Sequence, residues 1–210
     1  MGLYDAYLAV RHRLHDSDPP DHVALVITER DLLADGAFDT LSDALGWAVE
    51  YGATRVTVSV SVLDAAVVPT LVRELRQIDA PRPFAVHGPD DAARGDTDDT
   101  SATDVPIRIT VGLGGKAEFA AAVREIAADV DAGALDPESI DAADISDRLV
   151  FPEEPDLVIK TGAERLSDFA IWQSVYAELY FTDVNWRDFR KRDYLRAVLD
   201  FQDRQRRFGR

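Results

Sequence analysis

The chain has 210 residues, of which 46% are hydrophobic, and this is enough for one domain with an apolar core. It contains no cysteine, which excludes disulfides and thiolate metal sites, and its four histidines are too scattered for a zinc pattern. The net charge of -16 opposes binding to nucleic acid, so no nucleic-acid partner is expected.

The acidic charge has a particular composition. The chain holds 29 Asp against 10 Glu, and 20 Arg against 3 Lys. This composition predicts a halophilic protein, because high salt screens the self-repulsion of such a surface. The acidity then says little about partners. The sequence also shows no signal-peptide core and no apolar run long enough to span a membrane, so we expect a cytoplasmic protein.

Hydrophobic periodicity predicts alternating helices and strands. In chain order the predicted elements are a helix over 3–15, a strand over 22–27, a helix over 39–51, a strand over 55–62, a helix over 63–78, strands over 84–86 and 107–111, a helix over 116–131, a strand over 157–159 and a helix over 188–207. Residues 1–20 form an N-terminal helix and linker, and residues 90–105 form an acidic loop. The first helix packs on the domain or makes, at most, peripheral contact with a membrane.

Strands that alternate with helices are typical of right-handed βαβ units. We therefore predict an α/β fold, a single domain over 1–210 with a mostly parallel central sheet flanked by helices. In such sheets ligands bind beyond the carboxyl ends of the strands. The loops after Ile27, Val62, Val111 and Ile159 are therefore the first candidates for a functional site.

The most informative motif lies in the last third of the chain. Residues 156–173 read DLVIKTGAERLSDFAIWQ, and residues 176–186 read YAELYFTDVNW. Together with VGLGGKAE at 111–118 and RRFG at 206–209, these motifs resemble the cis-prenyltransferase (undecaprenyl diphosphate synthase) family. The resemblance implies a fold like that of undecaprenyl diphosphate synthase and a reaction that adds isopentenyl diphosphate to an allylic diphosphate.

The resemblance assigns substrate-binding roles to five residues. Arg165 and Ser167 match residues that hold the isopentenyl diphosphate, with donors suited to phosphate oxygens. Lys160 stands where the family has Arg, and it keeps the charge without the bidentate fork. Arg207 and Gly209 match a C-terminal Arg-x-Gly motif that in the family reaches the diphosphate site of the dimer partner.

The resemblance also places a metal ligand. Glu178 matches the family's magnesium-associated glutamate, so Mg²⁺ is the expected cofactor. Without the resemblance simpler interpretations stay open: Glu178 could be exposed on a helix, and Arg165 and Ser167 could form an ion pair and a helix N-cap. The arginine-rich end could be a solvated helix terminus. Trp172, Tyr176, Phe181 and Trp186 are predicted to lie in the core.

The resemblance fails after the first strand. Active members carry an Asp there that binds Mg²⁺ and assists ionisation of the allylic diphosphate. Here the position is Thr28, and the glycines that follow the Asp in the family are missing. Glu29 or Asp31 could replace the carboxylate only if the loop shifts register. No catalytic residue is therefore assigned, and the activity of the chain alone is in doubt.

Three functions remain open at this point. The first is an accessory subunit, similar in its loss of the Asp motif to subunits of the Nogo-B receptor type, that supplies an isopentenyl-diphosphate half-site and its tail to an intact paralog. The second is a self-sufficient prenyltransferase that uses Glu29 or Asp31. The third is a prenyl-diphosphate-binding protein without turnover. The expected assembly is a homodimer or a heteromer with that paralog.

Overall fold

The structure, a computed structural model, describes residues 2–89, 105–149, 153–162 and 172–208, with side chains described as far as Arg204. Six parallel strands form one sheet in the order β3-β4-β2-β1-β5-β6. The strands are β1 (His22–Thr28), β2 (Arg55–Ser61), β3 (Phe84–His87), β4 (Ile107–Val111), β5 (Leu157–Thr161) and β6 (Glu178–Thr182). The predicted α/β domain with a parallel sheet is confirmed.

The described helices connect and flank these strands. They are α1 (Leu3–Arg13), α2 (Glu29–Leu32), α3 (Ala37–Glu50), α4 (Val68–Leu75), α5 (Gly115–Asp131), α6 (Ala142–Ser146) and α7 (Lys191–Phe208). Short 3₁₀ turns lie at Ala65–Val67, Pro137–Ser139 and Trp186–Asp188. The predicted acidic loop at 90–105 falls almost entirely outside the described residues.

One face of the sheet carries the main core. Because side chains alternate between faces along a strand, Leu25 and Ile27 share this face with Val58 and Val60 of the neighbouring strand. Helices α3, α4 and α7 cover it with Leu41, Leu45, Leu71, Leu75, Leu195 and Val198, all fully buried. Val49, near the end of α3, is only partly buried.

The other face, which we call the polar face, is different in character. It holds a small apolar group of Ala24, Val26 and Val158. Around this group lie buried polar and charged side chains, namely Thr57, Ser59, Arg108, Thr110 and Lys160. A buried polar group must find a partner or incur a desolvation penalty. The buried polar and charged side chains of this face are therefore candidates for a functional site.

Three sequence expectations need correction. The region 63–78 is not one helix, because a 3₁₀ turn at Ala65–Val67 precedes α4 and Pro69 lies in the first turn of that helix. The sixth strand, β6, was not predicted. Of the predicted core aromatics, Trp186 is fully buried and Trp172 partly so, but Tyr176 is 83% exposed and Phe181 is 37% exposed.

Candidate functional site

The carboxyl end of β1 carries a small helix cap. Thr28 ends the strand and is the N-cap of α2, where its hydroxyl oxygen accepts a hydrogen bond from the Asp31 backbone N–H at 3.2 Å. The same hydroxyl donates to Asp31 Oδ2 at 2.6 Å. Ser, Thr and Asp favour such caps because they satisfy backbone donors that a helix start leaves free. The residue at the family's Asp position therefore has a local structural role.

The side-chain carboxylate of Glu29 is also engaged in hydrogen bonds. Its carboxylate accepts hydrogen bonds from the backbone N–H groups of Leu63 at 2.9 Å and Asp64 at 3.2 Å. These contacts tie the start of α2 to the loop that follows β2. Both contacts use the same oxygen, Oε2, and charge-assisted bonds of this kind are among the stronger hydrogen bonds in proteins.

Lys160 lies next to β1 on the polar face. Its register partner is Val26, two residues before Thr28, so Lys160 and Thr28 extend from the same face of the sheet. Lys160 is only 3% exposed, and its Nζ donates to the Thr161 carbonyl oxygen at 3.2 Å. Burial lowers the pKa of Lys160, and the negative charge of Asp31 opposes that shift.

Thr161, the last residue of β5, follows Lys160 in the chain, but its side chain extends from the opposite, apolar face, the face of Leu157 and Ile159. Its Oγ1 is buried and has no hydrogen-bond partner within the described part of the chain. Gly162 follows with φ of +73°, a left-handed conformation that glycine adopts without strain, so the backbone turns away directly after the strand. The Thr161 hydroxyl and the Lys160 ammonium therefore lie on opposite faces of the sheet, and the ammonium is the group of this strand suited to an oxygen-rich anion such as a diphosphate.

Glu178 lies elsewhere in the same chain. It is the first residue of β6, not part of a helix, and its register partner is Leu157, which in turn pairs with Val23. That row is five residues before Thr28, or about 16 Å along the strands at about 3.3 Å per residue. Glu178 Oε2 accepts a hydrogen bond from Arg204 of α7 at 2.9 Å.

The expected site is therefore split. Lys160 lies near Thr28 and Asp31 at the carboxyl edge, whereas Glu178 pairs with the helix that leads into the arginine-rich tail. The backbone of Arg207 belongs to α7, but its side chain, together with Arg165, Ser167 and Gly209, lies outside the described residues.

Two contacts of the candidate residues were missed by sequence reasoning. The Thr28-x-x-Asp31 spacing is a capping pattern and could have been recognised as such. The pairing of Arg204 with Glu178 has no local signal, because 26 residues separate the two along the chain.

The donor set suits Mg²⁺ only in part. Mg²⁺ in phosphate sites takes one or two carboxylates and completes its shell with phosphate oxygens and water. Among the described residues, no cluster of three or more acidic or imidazole side chains forms a ready-made cation site. Asp31 and Glu178 are each a single carboxylate, and within one chain they are too far apart to share an ion.

A sequence model of one enzyme family, described as putative undecaprenyl diphosphate synthase, matches residues 90–209, more than half of the chain. The chain belongs to the undecaprenyl diphosphate synthase family. The first 89 residues, including Thr28, lie outside the matched region. The resemblance inferred from the motifs at 156–186 is thus confirmed at the level of the family.

Similar members of this family are named as synthases or transferases. A tritrans,polycis-undecaprenyl-diphosphate synthase (geranylgeranyl-diphosphate specific) of Methanopyrus kandleri is 50% identical over 107 residues, which are 50% of this chain and 40% of the relative. An isoprenyl transferase of Geobacillus kaustophilus is 46% identical over 110 residues, 51% of this chain and 43% of the relative. The matched part therefore spans less than half the length of these relatives.

Solved structures confirm the fold over a longer stretch. A probable undecaprenyl diphosphate synthase from Campylobacter jejuni superposes with a TM-score of 0.66 at 18% identity, covering 92% of this chain and 100% of the other. Lavandulyl diphosphate synthase from Lavandula x intermedia, in complex with dimethylallyl diphosphate, gives a TM-score of 0.65 at 24% identity, covering 88% and 95%. Both likenesses concern the fold alone.

Proposed function

We propose that this chain is an accessory subunit of a cis-prenyltransferase that makes polyprenyl diphosphate. Alone it has weak or no activity. It supplies an isopentenyl-diphosphate half-site (Lys160, Arg165 and Ser167) and its C-terminal Arg-x-Gly tail to a catalytic partner. The observation that supports this proposal is that Thr28, which the resemblance aligns with the family's metal-binding Asp, serves as a helix cap at the end of β1.

The magnitude of the missing interaction supports the accessory role. A metal ion that neutralises a leaving diphosphate contributes several kcal/mol to transition-state stabilisation. At about 1.4 kcal/mol for each tenfold in rate, its loss slows the reaction by roughly a thousandfold or more. Glu29 is held by the loop after β2 through Oε2, and Asp31 is held by Thr28 through Oδ2, so each carboxylate has one oxygen committed to the local fold.

The packing of the core agrees with this role. A growing isoprenoid chain needs an apolar space, and the apolar face of the sheet is filled by the protein's own side chains. Val58 and Val60 of β2 and Leu71 and Leu75 of α4 are all at most 1% exposed. Opening this layer would forfeit close-packed contacts that stabilise the fold.

The remaining features belong to the assembled enzyme. We propose that Glu178 and the tail act together, because Arg204 joins Glu178 to the helix that carries the tail. Mg²⁺ would be held by the diphosphate and by carboxylates, with Glu178 as this chain's contribution. The assembly is a heteromer with an intact paralog, or else a homodimer, and its location is the cytoplasm with at most peripheral membrane contact. Among the described residues, no helix is long and apolar enough to cross a bilayer.

Co-purification with an intact paralog in high salt tests the proposal. We expect the pure chain to give no product above background with Mg²⁺, isopentenyl diphosphate and an allylic diphosphate. The full-length chain should raise the rate of the paralog at least tenfold. Deleting residues 205–210 should abolish this gain, whereas deleting Arg210 alone should not. Equal support from the full-length and tail-deleted chains would contradict the accessory role.

A second function remains, a self-sufficient prenyltransferase. Two observations favour it: the reported relatives are named as a synthase and a transferase, and Asp31 lies at the carboxyl edge near Lys160. The same assay of the pure chain decides between the two. Product that depends on Mg²⁺ and disappears in Asp31→Asn would establish the second function in place of the first.

A further inference from the structure

The side chain of Lys160 has an unusual environment for a residue that is expected to bind an anion. The side chain is buried on the polar face beside Val26 of β1, and its only hydrogen bond in the described part of the chain is to the adjacent Thr161 carbonyl oxygen. A buried ammonium without a counter-ion would incur a large desolvation penalty. A negative charge that acts on it is therefore expected, and that charge belongs either to a ligand or to the protein.

The fold supplies such a charge from within. Helix α2 begins directly at the end of β1, and its one turn brings Asp31 back over the strand end. There the Thr28 hydroxyl fixes Asp31 Oδ2 at 2.6 Å. Thr28 extends from the same sheet face as Lys160. The Asp31 carboxylate acts on Lys160 through space, since no hydrogen bond between the two is present, and it raises the pKa that burial lowers.

We propose that Asp31 is an internal counter-ion that takes the place of a diphosphate charge at Lys160 and so weakens anion binding at the end of β5. The inference rests on the proposed function, because it takes Lys160 to be part of a diphosphate site. A bound diphosphate would approach Lys160 against the field of a fixed carboxylate. The negative charges of the Asp31 carboxylate and the diphosphate repel each other, and the repulsion is stronger where burial limits screening by water.

The position of the carboxylate explains why the repulsion is not relieved by movement. Thr28 holds Asp31 through a short hydrogen bond and receives the Asp31 backbone N–H in return, so the side chain is fixed as part of the helix cap. An Asn at position 31 keeps an oxygen that can accept the Thr28 hydrogen bond but removes the charge. Asp31→Asn is therefore a nearly isosteric test.

The experiment is calorimetric titration with inorganic diphosphate in buffer without divalent cations. We expect Asp31→Asn to bind about tenfold more tightly than the wild type, equivalent to about 1.4 kcal/mol. Asp35→Asn removes an equal charge from an exposed residue before α3 and should stay within about twofold of the wild type. Adding Lys160→Met to Asp31→Asn should remove the gain.

The possible failures can be told apart. If the wild type binds diphosphate through Lys160 and Asp31→Asn binds no more tightly than Asp35→Asn, the counter-ion role is wrong and the half-site stands. If neither the wild type nor Asp31→Asn binds, both are wrong. If Mg²⁺ makes the wild type bind more tightly than Asp31→Asn, Asp31 is a metal anchor, which overturns the counter-ion role.

A second variant tests the same inference in case Asp31→Asn does not fold. Thr28→Val leaves the Asp31 charge in place and removes the hydroxyl that fixes it. It should bind diphosphate more tightly than the wild type, with a smaller gain than Asp31→Asn. Circular dichroism confirms that each variant is folded before titration. No gain in Thr28→Val, with the variant folded, would contradict the inference independently.

Discussion

At the scale of single residues, Thr28 has a clear structural role. In this chain it begins α2 and binds Asp31 on both of its hydrogen-bonding sides. The cap contributes about 1 kcal/mol to stability. The end of β1 therefore serves local folding in this chain.

His22, the first residue of β1, is buried at the opposite edge of the sheet. Its Nε2 lies 2.8 Å from Thr57 Oγ1, and its Nδ1 lies 3.2 Å from the Glu154 carbonyl oxygen. These contacts join β1, β2 and the segment that leads into β5. Burial is the main cause that lowers the pKa of His22 below its usual value.

This lowered pKa predicts that acid destabilises the protein. Above about pH 6.5 His22 is neutral in both the folded and unfolded states. As the pH falls below that value the unfolded chain binds the proton first, so the free energy of unfolding decreases until the folded-state pKa is reached. Urea titrations at pH 7.5 and at lower pH should show this loss, and His22→Gln should reduce its slope. An unchanged slope in His22→Gln would assign the acid sensitivity to other groups.

At the scale of elements, the strands differ in how well local sequence predicts them. The runs that form β1, β2, β4 and β5 are rich in Val and Ile, which is the signature of buried parallel strands. β6 contains the helix-favouring pair Glu178 and Leu179, yet it pairs with β5 at the edge of the sheet. That pairing is a tertiary contact, which local propensity cannot reveal.

The same limit applies to the candidate site. Motif comparison named Lys160 and Glu178, but only strand register shows that Lys160 lies near Asp31 and that Glu178 does not. The link between Glu178 and Arg204 likewise depends on how α7 packs against β6. The sequence motifs identify the candidate residues, whereas the strand topology determines which of them lie close together.

Helix α4 shows how closely one element is tied to the core. Leu75 is fully buried between α4 and the sheet, so Leu75→Ala should lower the free energy of unfolding by about 2 to 5 kcal/mol. Leu63, in the loop after β2, is 88% exposed, and Leu63→Ala should change it by no more than about 0.5 kcal/mol. Denaturant titration of both variants measures the difference, and equal losses would mean that the apolar face is less tightly packed than described.

At the scale of the whole molecule, charge is the dominant feature. The net charge is -16, and many acidic residues, such as Asp35, Asp43 and Asp79, are exposed. Self-repulsion of such a surface disfavours the compact state. Individual surface ion pairs, such as that between Arg11 and Asp203, contribute little to stability and do not offset it.

We therefore expect stability to rise with salt. The screening length falls from about 10 Å at 0.1 M to about 3 Å at 1 M, so the free energy of unfolding should increase over this range of KCl. Asp35→Asn, Asp43→Asn and Asp79→Asn combined change the net charge from -16 to -13 and should make this increase smaller. Sucrose, which strengthens burial without screening charge, should stabilise the variant and the wild type equally. A wild type whose stability is unchanged or lowered by KCl would show that surface repulsion does not limit this fold, and the halophilic interpretation of its composition would fail with it.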